Sequence, residues 1–272
     1  MKRIDKNNAI FKTTAYRNDR NRFHIISMNL ASKDLLLYSD EHSYVICRGA
    51  IGKPTWIWTI DGICSSKMEE AARLIAGFFL TDNPKDRCIC KKEFYTFLKE
   101  TAYPYLNTED YFEMGTLECH ELKTPKDCDG YMDKAKMEDL NVLAQYWFAD
   151  RQEMNPCASF TVQQAYEDIK AMITKDTLFI WRNNDGKIVC MVNHQITGDQ
   201  VKLDHVYTPI EERGKGYASN LIHDITKILL EMHLEPLLYT DYNYIPSNQA
   251  YKNAGYKSTG ALINFSCSKE LG

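Results

Sequence analysis

Arg213-Gly214-Lys215-Gly216-Tyr217-Ala218 packs two cations and two glycines into six residues, directly ahead of a long stretch with helical periodicity. Glycine opens backbone angles closed to other residues and lets a ligand come close to the main chain. From Ala218 onward the apolar residues Ala218, Leu221, Ile222, Ile225, Ile228, Leu229 and Met232 recur at three and four, which marks one buried helix face. The helix therefore starts at the glycines. Its free first-turn amides, those of Tyr217, Ala218 and Ser219 among them, point into the turn together with the positive end of its dipole. Arg213 and Lys215 add full charges there, so a phosphate or pyrophosphate is the expected guest.

Two strands and a second helix must hold this turn. Val201–Tyr207 alternates apolar and polar residues, and Pro209 ends it because proline offers no ladder donor. Downstream, 237–241 (LLYTD) reads as a strand, and 247–256 (SNQAYKNAGY) as a short helix that stops at Gly255. Neither G-x-x-x-x-G-K-[ST] nor G-x-G-x-x-G is present, so the common nucleotide fingerprints do not apply.

The pattern R-x-x-G-x-A, carried by Arg213, Gly216 and Ala218, resembles the acyl-coenzyme A pyrophosphate motif of the GNAT acetyltransferase superfamily. N-x-x-Y-x-x-x-G-Y, carried by Asn248, Tyr251, Gly255 and Tyr256, is similar to the second half of that family's cofactor site. The turn by itself could be a plain basic loop, but the two motifs stand in family order and at family spacing. The resemblance implies an α+β fold with a mixed, mostly antiparallel sheet flanked by helices, and acetyl-CoA as co-substrate. It also implies that the strands on either side of the long helix splay apart, and that backbone at Val206, Tyr207 and Thr208 pairs with the pantetheine arm.

Aminolysis of a thioester needs a base for the amine, a donor for the carbonyl oxygen and an acid for the leaving thiolate, with no covalent intermediate. By its place in the family pattern Tyr251 is the candidate acid, a phenol being protonated at neutral pH; the plain alternative is that it only packs its helix. Asn248, one turn earlier, would bind the cofactor arm or simply cap the helix. The family often draws a base from the strand that carries Asp204 and His205. Adjacent strand residues point to opposite faces, so one of the two at most is expected to reach an amine. Histidine as a residue type titrates near neutral pH and aspartate does not, which favours His205. His194 and Glu153 are reserves.

The chain has 272 residues, 44% hydrophobic, with formal net charge -4. No apolar run reaches membrane-spanning length and the start MKRIDKNNAIFK has no signal-like apolar core, so a cytoplasmic protein without membrane association is expected. Nine cysteines, odd in number and scattered through apolar stretches, suit buried thiols in a reducing compartment. Cys88-x-Cys90 and Cys119-His120 with Cys128 match no zinc spacing, and no metal is expected. Neither half is basic, and residues 128–272 carry the negative excess, which argues against nucleic acid and suits a small-molecule or peptide amine.

Turn chemistry divides the chain into an N-terminal α+β domain, 1–127, and a second domain, 128–272, with Lys123–Asp127 as the polar linker. The first holds a helix near Phe23–Leu30 and strands at Leu35–Ser39, Tyr44–Cys47 and Trp56–Ile60. Helices at Ser66 (capping box with Glu69) and Lys91–Thr101 and a strand at Tyr111–Leu122 follow. Its aromatic stripe, Trp56, Trp58, Phe78, Phe79, Phe94 and Phe97, is read as core. It resembles, at low specificity, the degenerate GNAT-like half of bacterial tandem members of that family. The second domain opens with helices at Lys136–Asp150 and after the Thr161/Gln164 capping box, then strands 177–182 and 187–196 around Asn184-Asp185-Gly186.

The reading is an acyl-CoA-dependent N-acetyltransferase whose first domain walls off the acceptor site or mediates assembly, a homodimer included. Two alternatives stand beside it. One is a catalytically silent acyl-CoA sensor. The other is an aminoacyl-tRNA-dependent transferase, disfavoured by the intact glycine turn and the lack of a basic half.

Overall fold

The computed structural model describes residues 2–79, 87–101, 107–154 and 159–268. Along the chain, β1 (Lys2–Arg3) leads through α1 (Thr14–Asp19) and α2 (His24–Asn29) to the strands β2 (Leu36–Ser39), β3 (Tyr44–Arg48) and β4 (Thr55–Thr59). Helix α3 (Ser65–Leu74), β5 (Arg87–Cys90), α4 (Lys92–Glu100) and β6 (Asn107–Glu118) complete the first stretch. Next come β7 (Tyr131–Lys134), α5 (Leu140–Met154), α6 (Val162–Thr174), β8 (Leu178–Arg182), β9 (Ile188–Thr197) and β10 (Gln200–Tyr207). The chain closes with α7 (Tyr217–Glu231), β11 (Glu235–Asp241), α8 (Ile245–Ala254) and β12 (Lys257–Ser268).

These elements form two compact units: Met1–Thr116 with Thr240–Asn243 and Ser258–Gly272, and Leu117–Tyr239 with Tyr244–Lys257. The division differs from a single cut at 127/128 in three places, one of them the short stretch Thr240–Asn243 that joins the first unit. The segment Lys123–Asp127, expected as a linker, lies inside the second unit, and the C-terminal strand belongs to the first. Strand pairing, not continuity along the chain, decides where a segment belongs: Ile263–Ser266 of β12 pairs antiparallel with Arg87–Cys90 of β5.

In the first unit β2, β3 and β4 form the expected antiparallel sheet, while β4 and β5 run parallel. Its core gathers Tyr44, Ile46, Ile57 and Phe94 with Phe265 from β12, and Trp56 and Trp58 are buried as expected. The side chains of Phe78 and Phe79, and Cys157 and Cys267, lie outside the described side chains. Two expectations need correction, and two short strands were not anticipated. Helix α3 starts at Ser65 behind an N-cap at Cys64, so Ser66 falls inside the first turn and Glu69 pairs with Arg73 instead of closing a capping box. Strand β6 runs 107–118 and stops short of Leu122, because the 121–123 backbone turns to pack against Gly255. Short strands β5 and β7 were invisible as sequence patterns.

In the second unit β8 and β9 form a hairpin, β9 and β10 pair antiparallel, and β10 and β11 pair parallel. The Thr161/Gln164 capping box is present at the start of α6. One sheet face packs on α7 through residues such as Val192, Leu203, Leu221 and Ile225. The other packs on α5 and α6 through Leu143, Trp147, Ile180, Met191 and Tyr207. Cys47, Cys88, Cys90, Cys119 and Cys190 are buried free thiols, whereas Cys64 is exposed. Among the described residues no helix is long and apolar enough to cross a membrane, and no group of three or more His, Cys, Asp or Glu could hold a metal.

Candidate active site

The glycine turn takes the shape its composition requires. Gly214 and Gly216 are left-handed, with φ of 78° and 93°. Gly216 is the N-cap of α7 and no side chain caps the helix, so its first-turn amides are not claimed by a capping oxygen. A Cβ at Gly214 would meet nothing within 4 Å, so that side of the turn is open to a ligand.

The cations of the turn are engaged by carboxylates. Arg213 Nη2 donates to both Glu153 oxygens at 2.8 and 2.7 Å, its Nε donates to the Thr208 carbonyl at 2.9 Å, and its guanidinium lies 5.8 Å from the Tyr207 ring centroid. Lys215 Nζ donates to Glu212 at 2.8 Å, and the second oxygen of that carboxylate takes Lys187 Nζ at 2.6 Å. These hydrogen bonds hold the Glu212 carboxyl below its ordinary range. Tyr217 turns inward: its side chain is buried and its hydroxyl donates to Asp129 at 2.7 Å, a bond that, with burial, pushes the phenol up to about 12. Ser219 is buried as well, so at these two positions the backbone, and not the side chain, faces the turn.

Strands β10 and β11 pair from Gln200↔Glu235 to Leu203↔Leu238 and the register goes no further, which is the divergence the family resemblance implied. Beyond Leu203 the β10 backbone, including Val206 and Tyr207, has left its β11 partner. On its other edge Tyr207 pairs with Met191 of β9 after a bulge between Asp204 and Tyr207. Thr208 follows, its hydroxyl donating to the buried Cys190 Sγ at 3.3 Å.

The bulge overturns simple alternation. His205 has φ of 52°, and the extra residue puts Asp204 and His205 on the same face of the sheet, the one covered by α5. Asp204 accepts from Asn193 Nδ2 at 2.6 Å and Gln195 Nε2 at 3.2 Å and pairs with Lys202 Nζ at 2.8 Å, so its oxygens are occupied. His205 instead stacks on Trp147, ring centroids 4.1 Å apart, and its Nδ1 lies 2.8 Å from Asp150 Oδ2. Among the described residues its Nε2 has no hydrogen-bond partner. His194 sits on the opposite face against Phe179, its Nδ1 at 2.9 Å from the Thr177 carbonyl, and burial pushes its pKa down. Glu153 holds Arg213.

Tyr251, on α8, is buried in the core cluster that packs on α7. Burial raises its phenol well above the ordinary range, and the Asp150 charge and the Cys190 thiol add to this. Asn248 sits half-buried one turn earlier; it is not the N-cap, since α8 begins at Ile245 behind Tyr244 with a proline in its first turn.

The structure thus brings together Arg213, Gly214, Lys215 and Gly216 in the turn, and His205 with Asp150 and Trp147 on the α5 face. Asp204 shares that face with its oxygens engaged, His194 lies on the opposite one, and Tyr251 packs on the α7 side. Sequence reasoning missed Asp150, although a signal existed: it continues the apolar stripe Leu140, Leu143, Ala144 and Trp147 of α5, where a charge is out of place.

A strand, a glycine turn and a helix flanking a parallel strand pair that stops after Leu203 are the arrangement the sequence resemblance implied. Residues 143–256 match the sequence model of the acetyltransferase (GNAT) family. Nearly the whole chain shares the fold of solved structures described as GNAT acetyltransferases. One from Colwellia psychrerythraea has a TM-score of 0.60 and 14% identity over 97% of this chain and 98% of that one. One from Kribbella flavida has a TM-score of 0.59 and 13% identity over 95% and 96%. One from Sphaerobacter thermophilus has a TM-score of 0.57 and 11% identity over 84% and 80%. No curated protein matches the sequence. The similarity extends through the first unit, so the GNAT-like fold is not confined to the half that carries the motifs.

Proposed function

We propose that this protein is an N-acetyltransferase that moves an acetyl group from acetyl-CoA directly to an amine of a small molecule or peptide. The observation that carries the reading is the uncapped start of α7 behind two left-handed glycines, opening beside a strand pair that stops pairing after Leu203. Backbone amides and a helix dipole at that point suit a pyrophosphate, and the free β10 backbone from Asp204 to Tyr207 suits an amide-containing arm. Acetyl-CoA supplies an activated acyl thioester. The amine must arrive as, or become, the free base, and Nε2 of His205 accepts its proton. The new bond joins amine nitrogen to acyl carbon while the carbon–sulfur bond breaks, and the Tyr251 hydroxyl gives its proton to the departing sulfur. Asp204, with its oxygens occupied by three donors, is the weaker candidate base.

The test is coenzyme A release from acetyl-CoA, followed by chromatography over a panel of polyamines, aminoglycosides, amino acids and peptides. Amine-dependent release is the expected result. Coenzyme A binding without release from any amine would replace this reading with that of a catalytically silent acyl-CoA sensor.

A further inference from the structure

We infer that Asp150 is a positioning residue whose carboxylate fixes His205 as the Nδ1–H tautomer and leaves the Nε2 lone pair for the amine. Its role in turnover rests on the acetyl-transfer reading above; the tautomer does not.

Asp150 is 7% exposed and lies on the apolar stripe of α5. A buried carboxylate is costly unless paired, and the partner here is His205 Nδ1 at 2.8 Å. A carboxylate can only accept, so the neutral ring must carry its hydrogen on Nδ1. Two further constraints act on the same ring. The left-handed bulge at His205 aims it at α5, and the Trp147 ring at 4.1 Å fixes its plane. Position, plane and tautomer are thus set by three separate contacts, as a pre-organised base requires.

Around the His205–Asp150 pair, Tyr207 and Asp204 lie on the same strand as His205, and Glu153 lies on α5 with Arg213 bound to it. Tyr207 is itself raised by burial, with Glu153 and then Asp150 among the charges that add to it, so it stays a neutral phenol. Asp204 is engaged by Lys202 and Glu153 by Arg213, which leaves Asp150 as the carboxylate hydrogen-bonded to the ring.

Long-range proton–nitrogen NMR of the imidazoles tests this without any substrate. The protein has 7 histidines, and His205→Gln assigns the relevant ring. The expected result is an Nδ1–H ring in the wild type and loss of that form in Asp150→Ala, with Asp150→Glu restoring it. In turnover Asp150→Asn is expected to lower kcat on the order of 100-fold, with coenzyme A affinity held within about twofold. An Nε2–H ring in the wild type, or a tautomer unmoved in Asp150→Ala, would overturn the inference. So would coenzyme A affinity and folding that fall together with kcat. If the wild type turns over no amine while the ring is Nδ1–H and responds to Asp150, the acetyl-transfer reading fails and the positioning of His205 stands.

Discussion

Both carboxylate oxygens of Glu153, at the C-terminal end of α5, hold the guanidinium of Arg213, at 2.8 and 2.7 Å, although 60 residues separate them in the chain. The cation expected to meet a phosphate is thus already paired. Both side chains are partly exposed, 35% for the arginine and 42% for the glutamate, so the pair contributes about 0–1 kcal/mol. Glu153→Gln should therefore tighten coenzyme A binding by at most about fivefold, and the gain should shrink as salt is raised. Calorimetric titration at two salt concentrations checks this, and a gain well above fivefold, or one that does not shrink with salt, would contradict it.

Tyr251→Phe keeps the ring in the core and removes only the hydroxyl. We expect kcat to fall by about 10²–10⁴-fold with little change in coenzyme A affinity, because a general acid acts in the transition state. Urea unfolding should move by only about 1 kcal/mol, the size of one lost hydrogen bond. A comparable loss of kcat with several times that loss of stability would make Tyr251 a packing residue.

Two glycines separate backbone strain from steric clash. Gly214 has φ of 78° and open space where a Cβ would go; Gly255, with φ of 107°, would put its Cβ 2.4 Å from the Glu121 carbonyl oxygen. Gly214→Ala should cost about 1–2 kcal/mol in denaturant unfolding and weaken coenzyme A binding by shifting the turn amides. Gly255→Ala adds a backbone collision and should cost more than about 3 kcal/mol. Equal costs would show that the 121–123 backbone yields freely.

Burial lowers the pKa of His194 below its ordinary 6.5. The unfolded chain then binds more protons than the folded one between the two values, so stability rises with pH through that window. Its contribution is intact above 6.5 and is lost as pH falls from there toward the folded value. Unfolding free energies measured from about pH 8 down to about pH 5 should show a decline in the wild type that is shallower in His194→Gln. Parallel curves would assign the acid sensitivity to other groups.

The local elements around the site were legible because local rules govern them. The apolar spacing after Ala218, the two glycines before it, the Thr161/Gln164 box and the Asn184-Asp185-Gly186 turn are each set by neighbours within a few residues, and each appears where those rules place it. The capping box at Ser66 failed because a helix starting one residue earlier leaves the same residues in its first turn. Strands β5 and β7, four residues each, are too short to carry a period and exist because β4, β12 and β8 offer them edges.

The sequence alone determined the glycine turn, the helix that begins there, and the residue types available for acid and base, since these follow from glycine's backbone freedom, apolar periodicity and side-chain chemistry. Tertiary structure decided how they are used. A one-residue bulge put His205 and Asp204 on one face where alternation had set them apart, Asn193, Gln195 and Lys202 occupied Asp204, and α5 brought Asp150 to His205 from 55 residues away. Each of these is a contact between segments distant in the chain, and nothing in the spacing of neighbouring residues encodes which distant partner a side chain will meet.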